Sequence, residues 1–195
     1  MLVPIFRSTG KHGATKMQSA RRMRQDIQDD FEHYVLEDLK QKGCKTTQYR
    51  DKESQLTKGD YRCVYPDRDY NLELKCFHKV WSDGLCVELI QDSTPLADKT
   101  QPNSLGWFYN LIDCHYLVVG YHDQTDGTFL LCVEVDLKRL RNEWDEVVGF
   151  SGSPRFAFSP KGFGSTVNIV IPWKTLDEFK LLSLMFKHEK QAALW

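Results

Sequence analysis

The 195-residue chain lacks any apolar run of membrane-spanning length, and this absence argues against a membrane partner. The opening residues MLVPIF are too short for the core of a signal peptide. They are also followed, rather than preceded, by a positive charge at Arg7. We therefore expect a soluble protein of the cytoplasm.

A Cys-x-x-Cys pair is absent as well, although the chain has six cysteines. Most of them lie in apolar, strand-like stretches, which favours reduced and buried thiols. Cysteine and histidine residues that lie near each other in sequence, such as Cys76 with His78 and Cys114 with His115, fit no common zinc pattern. Neither a disulfide framework nor a structural zinc site is expected.

Charge of either sign is not in excess, since the formal net charge is -1. Acidic residues are nevertheless absent from the first 24 positions, which predicts a basic N-terminal arm over residues 1–24. Its residues Arg21, Arg22 and Arg24 are candidate contacts to nucleic-acid phosphates, and a solvated arm is the alternative. Without an internal repeat or a linker, we expect residues 25–195 to form a single domain.

The residues between Asp60 and Lys75 predict a β-hairpin. Aromatic and branched residues on both sides flank PDRD, which is typical turn chemistry. In the second strand, alternation sends Leu72, Leu74 and Cys76 to one face, with Glu73 and Lys75 on the other. A turn near Asp67 and Arg68 would place Asp60 opposite Lys75.

Two carboxylates and one ammonium at one end of a hairpin suit metal-dependent phosphoryl chemistry. Carboxylate oxygens are hard ligands for Mg²⁺ or, as a substitute, Mn²⁺, which lowers the pKa of a bound water. Asp60 and Glu73 are the candidate metal ligands. Lys75 would orient the water or stabilise developing charge.

A second Glu-x-Lys, Glu178-Phe179-Lys180, shows that the short string has little specificity. Thr175 and Glu178 resemble a capping box, and the apolar spacing after them predicts a terminal helix over residues 175–191. The weight of the first copy therefore rests on its strand–turn–strand context.

Further candidate residues lie outside the hairpin. A long helix is predicted from about Thr15 to Lys42, ended by Gly43, and Glu32 lies at the rim of its apolar stripe. Glu88 and Gln91, in or just after the strand LCVELIQ, are secondary site candidates, and a surface role is the alternative. Lys58 would keep the approach to Asp60 electropositive. Trp107, Phe108 and Tyr109 either stack on bases or pack in the core.

The remaining elements complete an α/β pattern. We expect a first strand in CKTTQYR, a polar connection over residues 51–59, and a buried strand in HYLVVGY. FLLCVEVD predicts another strand and LKRLRNEWDEVV one helix. Residues 151–165 read as a loop with one short strand, and TVNIVIPW as the last strand.

This order of elements resembles the PD-(D/E)xK nuclease superfamily, in particular small phage-encoded nucleases. In that superfamily an Asp begins the second strand and Glu-x-Lys lies on the third, as Asp60 and Glu73-Leu74-Lys75 would here. Glu32 matches a helix glutamate of many members. Gly59 departs from the pattern, since it stands where many members have Pro.

The resemblance implies a restriction-endonuclease-like fold with a central mixed β-sheet flanked by helices. It implies Mg²⁺-dependent hydrolysis of DNA, endonucleolytic or exonucleolytic, with the main-chain carbonyl of Leu74 as a further metal ligand. A homodimer and, for a phage-encoded protein, the host cytoplasm are compatible with it. Two alternatives stay open: a catalytically inactive nucleic-acid-binding protein on the same fold, and a phage-type inhibitor that uses exposed aromatic residues.

Overall fold

The computed structural model describes residues 16–77, 84–91, 105–122, 129–151, 155–161 and 164–187, with side chains described within 25–77, 84–91, 105–122, 129–151 and 166–185. Six helices and nine strands occur in these ranges. In chain order they are α1 (Lys16–Gln41), β1 (Lys45–Gln48), α2 (Lys52–Lys58), β2 (Tyr61–Val64), β3 (Asp69–Phe77), β4 (Gly84–Ile90), α3 (Trp107–Asn110), β5 (Tyr116–His122), β6 (Phe129–Asp136), α4 (Leu137–Asn142), α5 (Trp144–Phe150), β7 (Arg155–Lys161), β8 (Gly164–Pro172), α6 (Trp173–Glu178) and β9 (Leu182–Lys187).

The strands form two sheets. A six-stranded sheet has the order β1-β2-β3-β5-β6-β9, and a three-stranded sheet has the order β4-β8-β7. In the larger sheet β3 and β5 run parallel and every other described neighbour is antiparallel. The chain is thus a mixed α/β structure whose mixed sheet is flanked by helices, which confirms the predicted class at this level.

Helix α1 covers one face of the larger sheet. Ile27, Phe31, Val35 and Leu39 recur at four-residue steps, so they share one face of the helix, and all four are buried. Three of them pack in a core cluster with strand residues that include Leu72 and Leu74. The helix ends before Gly43, which has a φ of 83°, as predicted.

The second face of the larger sheet packs in a larger core. This cluster joins Leu117 and Val119 of β5 to Leu85 and Val87 of β4. Further members come from β6, from β8 and from the helices α4, α5 and α6. The layers are therefore α1, the six-stranded sheet, and then the three-stranded sheet with the shorter helices.

All six cysteines are free thiols, and only Cys76 is not fully buried, as the sequence predicts. Within the described ranges, no helix is both long enough and apolar enough to cross a membrane.

The prediction of a terminal helix was wrong. Helix α6 ends at Glu178, Lys180 adopts a positive φ of 53°, and β9 follows and pairs with β6. The residue before the helix is Pro172, so Thr175 is not its cap and is instead buried. A sheet partner far away in sequence provided hydrogen bonds that local spacing could not reveal.

Other boundaries also differ from the predictions. The polar connection after β1 contains α2, and β9 rather than β8 is the last described strand. The one strand predicted within residues 151–165 is present as β7. The single predicted helix around Asn142 is two helices, α4 and α5, separated at Glu143. Strand β4, for which the sequence indicated no partner, lies beside β8 in the smaller sheet.

Candidate active site

Strand β3 presents the predicted alternation of side chains. Leu72 and Leu74 are buried in the core beneath α1. Glu73 and Lys75 lie on the opposite face and line a cleft there. A period of two therefore brings the acidic and the basic side chain of Glu-x-Lys to the same surface.

The pairing of β2 with β3 differs from the prediction. Tyr61 pairs with Leu72 and Val64 with Asp69, so Asp60 lies opposite Glu73 rather than opposite Lys75. The turn is closed by a hydrogen bond from the Tyr65 amide to the Arg68 carbonyl, at 2.8 Å. Its centre is thus one residue earlier than predicted, and a shift of one residue in the centre moves the pairing by two.

Asp60 lies where β2 separates from β3. Its amide donates to the Leu72 carbonyl at 2.9 Å, and beyond this point β2 offers no strand partner. The Asp60 carboxylate Oδ2 then accepts the Leu74 amide at 2.9 Å. The Asp60 side chain thus accepts a backbone hydrogen bond that a continuing β2 would otherwise accept. This bond holds the carboxylate beside the edge of β3.

Gly59 makes this geometry possible. Its φ is 93°, and an added Cβ would lie 2.7 Å from the Leu72 carbonyl oxygen. Proline, with a φ fixed near −65°, cannot adopt this conformation. Glycine in place of the proline of the PD motif therefore lets the backbone adopt the conformation that positions Asp60.

The carboxylates of Asp60 and Glu73 form an electrostatically strained pair. Burial, followed by repulsion from Glu73, raises the pKa of Asp60 from 3.8 to about 6. The Leu74 amide and the charge of Lys75 act in the opposite direction and do not cancel this rise. Glu73 itself is only 8% exposed. Two acidic groups are thus held together in a site with limited access to water.

Lys75 is the cation of this group. Its Nζ lies 2.6 Å from Glu73 Oε1, with both side chains mostly shielded from solvent. The same Nζ lies 5.4 Å from the centre of the Trp107 ring, at cation–π distance. Contacts with both a carboxylate and an aromatic face restrict where the ammonium group points.

A cleft of about 390 Å³ opens over Glu73 and Lys75, between β3 and the elements around it, and Asp60 is not among its lining residues. Glu88 and Gln91, the two secondary candidates, both border it. The complete lining is Gln55, Leu56, Glu73, Lys75, Phe77, Glu88, Gln91, Trp107, Asn110 and Leu111. The cleft therefore brings α2, β3, β4 and α3 together at the unpaired edge of β3.

The donor set suits a hard divalent cation. Asp60 and Glu73 supply neighbouring carboxylates, whose oxygens are hard ligands. Within the described ranges, no group of three or more His, Cys, Asp or Glu side chains is placed to hold a metal ion, so Asp60 and Glu73 form a pair without a third ligand of these types. In phosphoryl-transfer proteins, Mg²⁺ is commonly bound by one or two carboxylates and keeps water molecules as its other ligands. A cation there would also relieve the repulsion that raises the pKa of Asp60.

Glu32 is not among the side chains that line the cleft. Its carboxylate accepts hydrogen bonds from the Tyr61 hydroxyl at 3.0 Å and from the Gln28 side chain at 3.0 Å. Tyr61 belongs to the core beneath α1, so these contacts place Glu32 on the α1 side of the sheet. The structure connects it to the site through Tyr61, the neighbour of Asp60 in sequence.

The predicted phosphate contacts have different outcomes. The side chains of Arg21, Arg22 and Arg24 lie outside the described residues, although the backbone there continues α1. Lys58 ends α2 and borders a second cavity of about 290 Å³. Its lining is Tyr49, Lys58, Arg62, Asp69, Tyr70, Asn71 and His115.

Helix α2 is the part of the site that the sequence prediction missed. It contributes Gln55 and Leu56 to the cleft. The sequence did contain a signal for this helix, because Asp is a preferred N-cap residue. Asp51 is the N-cap, and its side chain accepts the Ser54 amide at 2.7 Å. Asn110 on α3 was missed as well, and the short helix gives it no distinctive pattern.

Comparisons of the chain with protein-family models, with curated proteins and with solved structures gave no significant match.

Proposed function

We propose that the protein is a Mg²⁺-dependent nuclease that hydrolyses phosphodiester bonds of DNA, built on a restriction-endonuclease-like fold. The observation that carries the proposal is the convergence of Asp60, Glu73 and Lys75 beside an open cleft. The fold offers further support, since the Glu-x-Lys strand lies between an antiparallel and a parallel neighbour and α1 covers its apolar face.

Each of the three side chains has a role that follows from its position. Asp60 and Glu73 would hold the cation, and the resemblance adds the Leu74 carbonyl as a further ligand. When bound, Mg²⁺ would lower the pKa of a coordinated water and neutralise charge on the phosphate. Lys75, fixed between Glu73 and Trp107, would orient the attacking water and stabilise the negative charge of the transition state. Glu88 and Gln91 line the cleft and would contact the same water shell or the substrate.

The arrangement also bears on the inhibitor alternative. An interaction protein that uses exposed aromatic residues has no need for two adjacent carboxylates with a lysine at 2.6 Å. It also has no need to bury a carboxylate beside a second one, the two effects that raise the pKa of Asp60. The inactive nucleic-acid-binding alternative shares the fold and predicts binding that Mg²⁺ does not convert into cleavage.

The test is incubation of the purified chain with linear, circular and single-stranded DNA in Mg²⁺, Mn²⁺ or EDTA. Cleavage is expected with either metal and not with EDTA. Asp60→Asn and Lys75→Ala should each remove cleavage, since positioning and charge stabilisation supply most of the catalysis.

The second Glu-x-Lys provides matched controls. Glu178 and Lys180 are both exposed and lie at the end of α6, so Glu178→Gln and Lys180→Ala should cleave like the unmodified chain. Wild-type activity in Asp60→Asn or in Lys75→Ala would refute the assignment.

A further inference from the structure

Exposed apolar side chains concentrate beside the candidate active site. Of the six large hydrophobic residues that are exposed in the described part of the chain, two lie elsewhere, namely Phe150 and Leu184. The other four are Leu56 on α2 together with Leu105, Tyr109 and Ile112 in and beside α3. Helices α2 and α3 are the two helices that border the cleft.

The lining of the cleft is unusual for a site that must bind a phosphate. Besides Glu73, Lys75 and Glu88, it consists of apolar or aromatic residues and three carboxamides, contributed by Gln55, Gln91 and Asn110. Aromatic and apolar surfaces stack on the faces of nucleobases, and amides form hydrogen bonds with their edges. Such a lining contacts bases, whereas a surface that only follows the backbone is mainly basic.

The aromatic residues of α3 are held in fixed orientations. Buried Phe108 contacts Trp107 edge-on, with ring centres 6.1 Å apart, and Tyr109 edge-on at 5.5 Å. Phe108 also packs against Trp144, with ring centres 4.5 Å apart. Rings that are already fixed lose little conformational freedom when a base stacks on them.

The aromatic residues of α3 also contact the proposed catalytic residues. Trp107 contacts the Lys75 ammonium, and Lys75 contacts Glu73. A phosphate bound at Lys75 would therefore have its attached nucleoside next to Trp107 and Leu56, both of which line the cleft. The cleft volume of about 390 Å³ lies at the lower end of the range for small-ligand sites, roughly 300–1,000 Å³. Such a space suits one nucleotide.

We infer that the cleft takes unpaired nucleobases, so that the preferred substrate is single-stranded DNA or a single-stranded end. This inference rests on the proposed nuclease function and specifies the form of its substrate. In a continuous duplex the faces of the bases are stacked on each other and their pairing edges are occupied, so neither the rings nor the amides of the cleft have access to them.

The test measures binding in EDTA, where the result does not depend on cleavage. Three fluorescently labelled probes of equal length are compared by anisotropy: a single-stranded oligodeoxynucleotide, its duplex, and a strand of abasic sites that keeps the phosphates. The single strand should bind at least about tenfold more tightly than the other two probes, as expected when one base is stacked in the cleft.

A double variant locates the bases on the protein. Leu56→Ala/Tyr109→Ala should weaken binding of the single strand by about fivefold or more and leave binding of the abasic strand unchanged. The matched control, Leu184→Ala/Phe150→Ala, also removes one leucine and one aromatic ring, but from exposed positions away from the cleft, and should bind like the unmodified chain.

The outcomes separate this inference from the proposed function. Preferential single-strand binding without cleavage in Mg²⁺ would support the inference and refute the nuclease assignment. Equal affinity for the single strand and the duplex, equal affinity for the abasic strand, or no binding of any probe would overturn the inference. Metal-dependent cleavage of duplex DNA alongside equal affinities would overturn the inference and retain the nuclease assignment.

Discussion

The Asp60–Glu73 pair makes a prediction about stability that needs no activity assay. In the metal-free protein, the pKa of Asp60 is raised from 3.8 to about 6. The folded state therefore holds a proton more tightly than the unfolded state, and stability falls as the pH rises from about 4 through 6. Because a tenfold change in proton affinity is about 1.4 kcal/mol, the loss amounts to roughly 3 kcal/mol by pH 8.

Asp60→Asn removes this loss. The amide oxygen of Asn can still accept the Leu74 amide, and its NH₂ group can donate to Glu73, so the local geometry is retained. In EDTA the variant should be as stable as the unmodified chain at pH 4 and about 3 kcal/mol more stable at pH 8. Urea unfolding at a series of pH values measures the difference directly.

Mg²⁺ should cancel most of this difference in stability. A cation that binds the folded carboxylate pair stabilises the unmodified chain by about 2.7 kcal/mol at one hundred times its dissociation constant. Asp60→Asn, which has lost one of the two ligands, should gain much less. The reasoning is refuted if the stability difference in EDTA is constant from pH 4 to 8, or if Mg²⁺ stabilises both proteins equally.

A second buried carboxylate serves as the control. Burial raises the pKa of Glu134 on β6, which does not line the cleft. Glu134→Gln should therefore also gain stability in EDTA as the pH rises. Its response to Mg²⁺ should match that of the unmodified chain, because the metal ligands are intact.

Two further predictions concern the approach to Asp60. Gly59→Ala forces a Cβ to within 2.7 Å of the Leu72 carbonyl at a φ of 93°, so it should lower the free energy of unfolding by about 1–3 kcal/mol and reduce Mg²⁺ binding. The control is Gly149→Ala in α5, where the added Cβ meets open space. This change should raise the free energy of unfolding by up to about 1 kcal/mol, because Ala favours a helix more than Gly does. Equal effects of the two changes would contradict the strain at Gly59. Lys58→Gln should reduce the salt dependence of DNA binding by about one counterion, measured as the slope of log affinity against log salt, whereas exposed Lys174→Gln on α6 should leave the slope unchanged. An unchanged slope for Lys58→Gln would remove that residue from the path of the DNA.

Local patterns in the sequence were sufficient for the elements that carry their own periodicity. The four-residue spacing from Ile27 to Leu39 predicted α1, and Gly43 predicted its end. Alternation around Glu73 predicted which side chains of β3 share a face. In these segments the burial of one face and the local propensity favour the same structure, so the prediction does not depend on distant partners.

The errors occur where a distant partner or the geometry of a turn decides. The residues from Leu182 onward have apolar spacing compatible with a helix, and pairing with β6 makes them a strand. The register of the hairpin depends on one hydrogen bond between Tyr65 and Arg68, which composition does not determine. The position of β4 in a separate sheet follows from its pairing with β8, about 80 residues later in the chain.

The two Glu-x-Lys strings show what turns a short motif into a site. Around Glu73, a regular strand holds the acidic and basic side chains on one face, and the separation of β2 leaves an edge that Asp60 fills. Around Glu178, the string crosses the end of α6 and a residue with positive φ, and both charged side chains are exposed. The proposed chemistry therefore depends on Asp60, which lies where β2 separates from β3, and replacing Asp60 is the most direct test of the site.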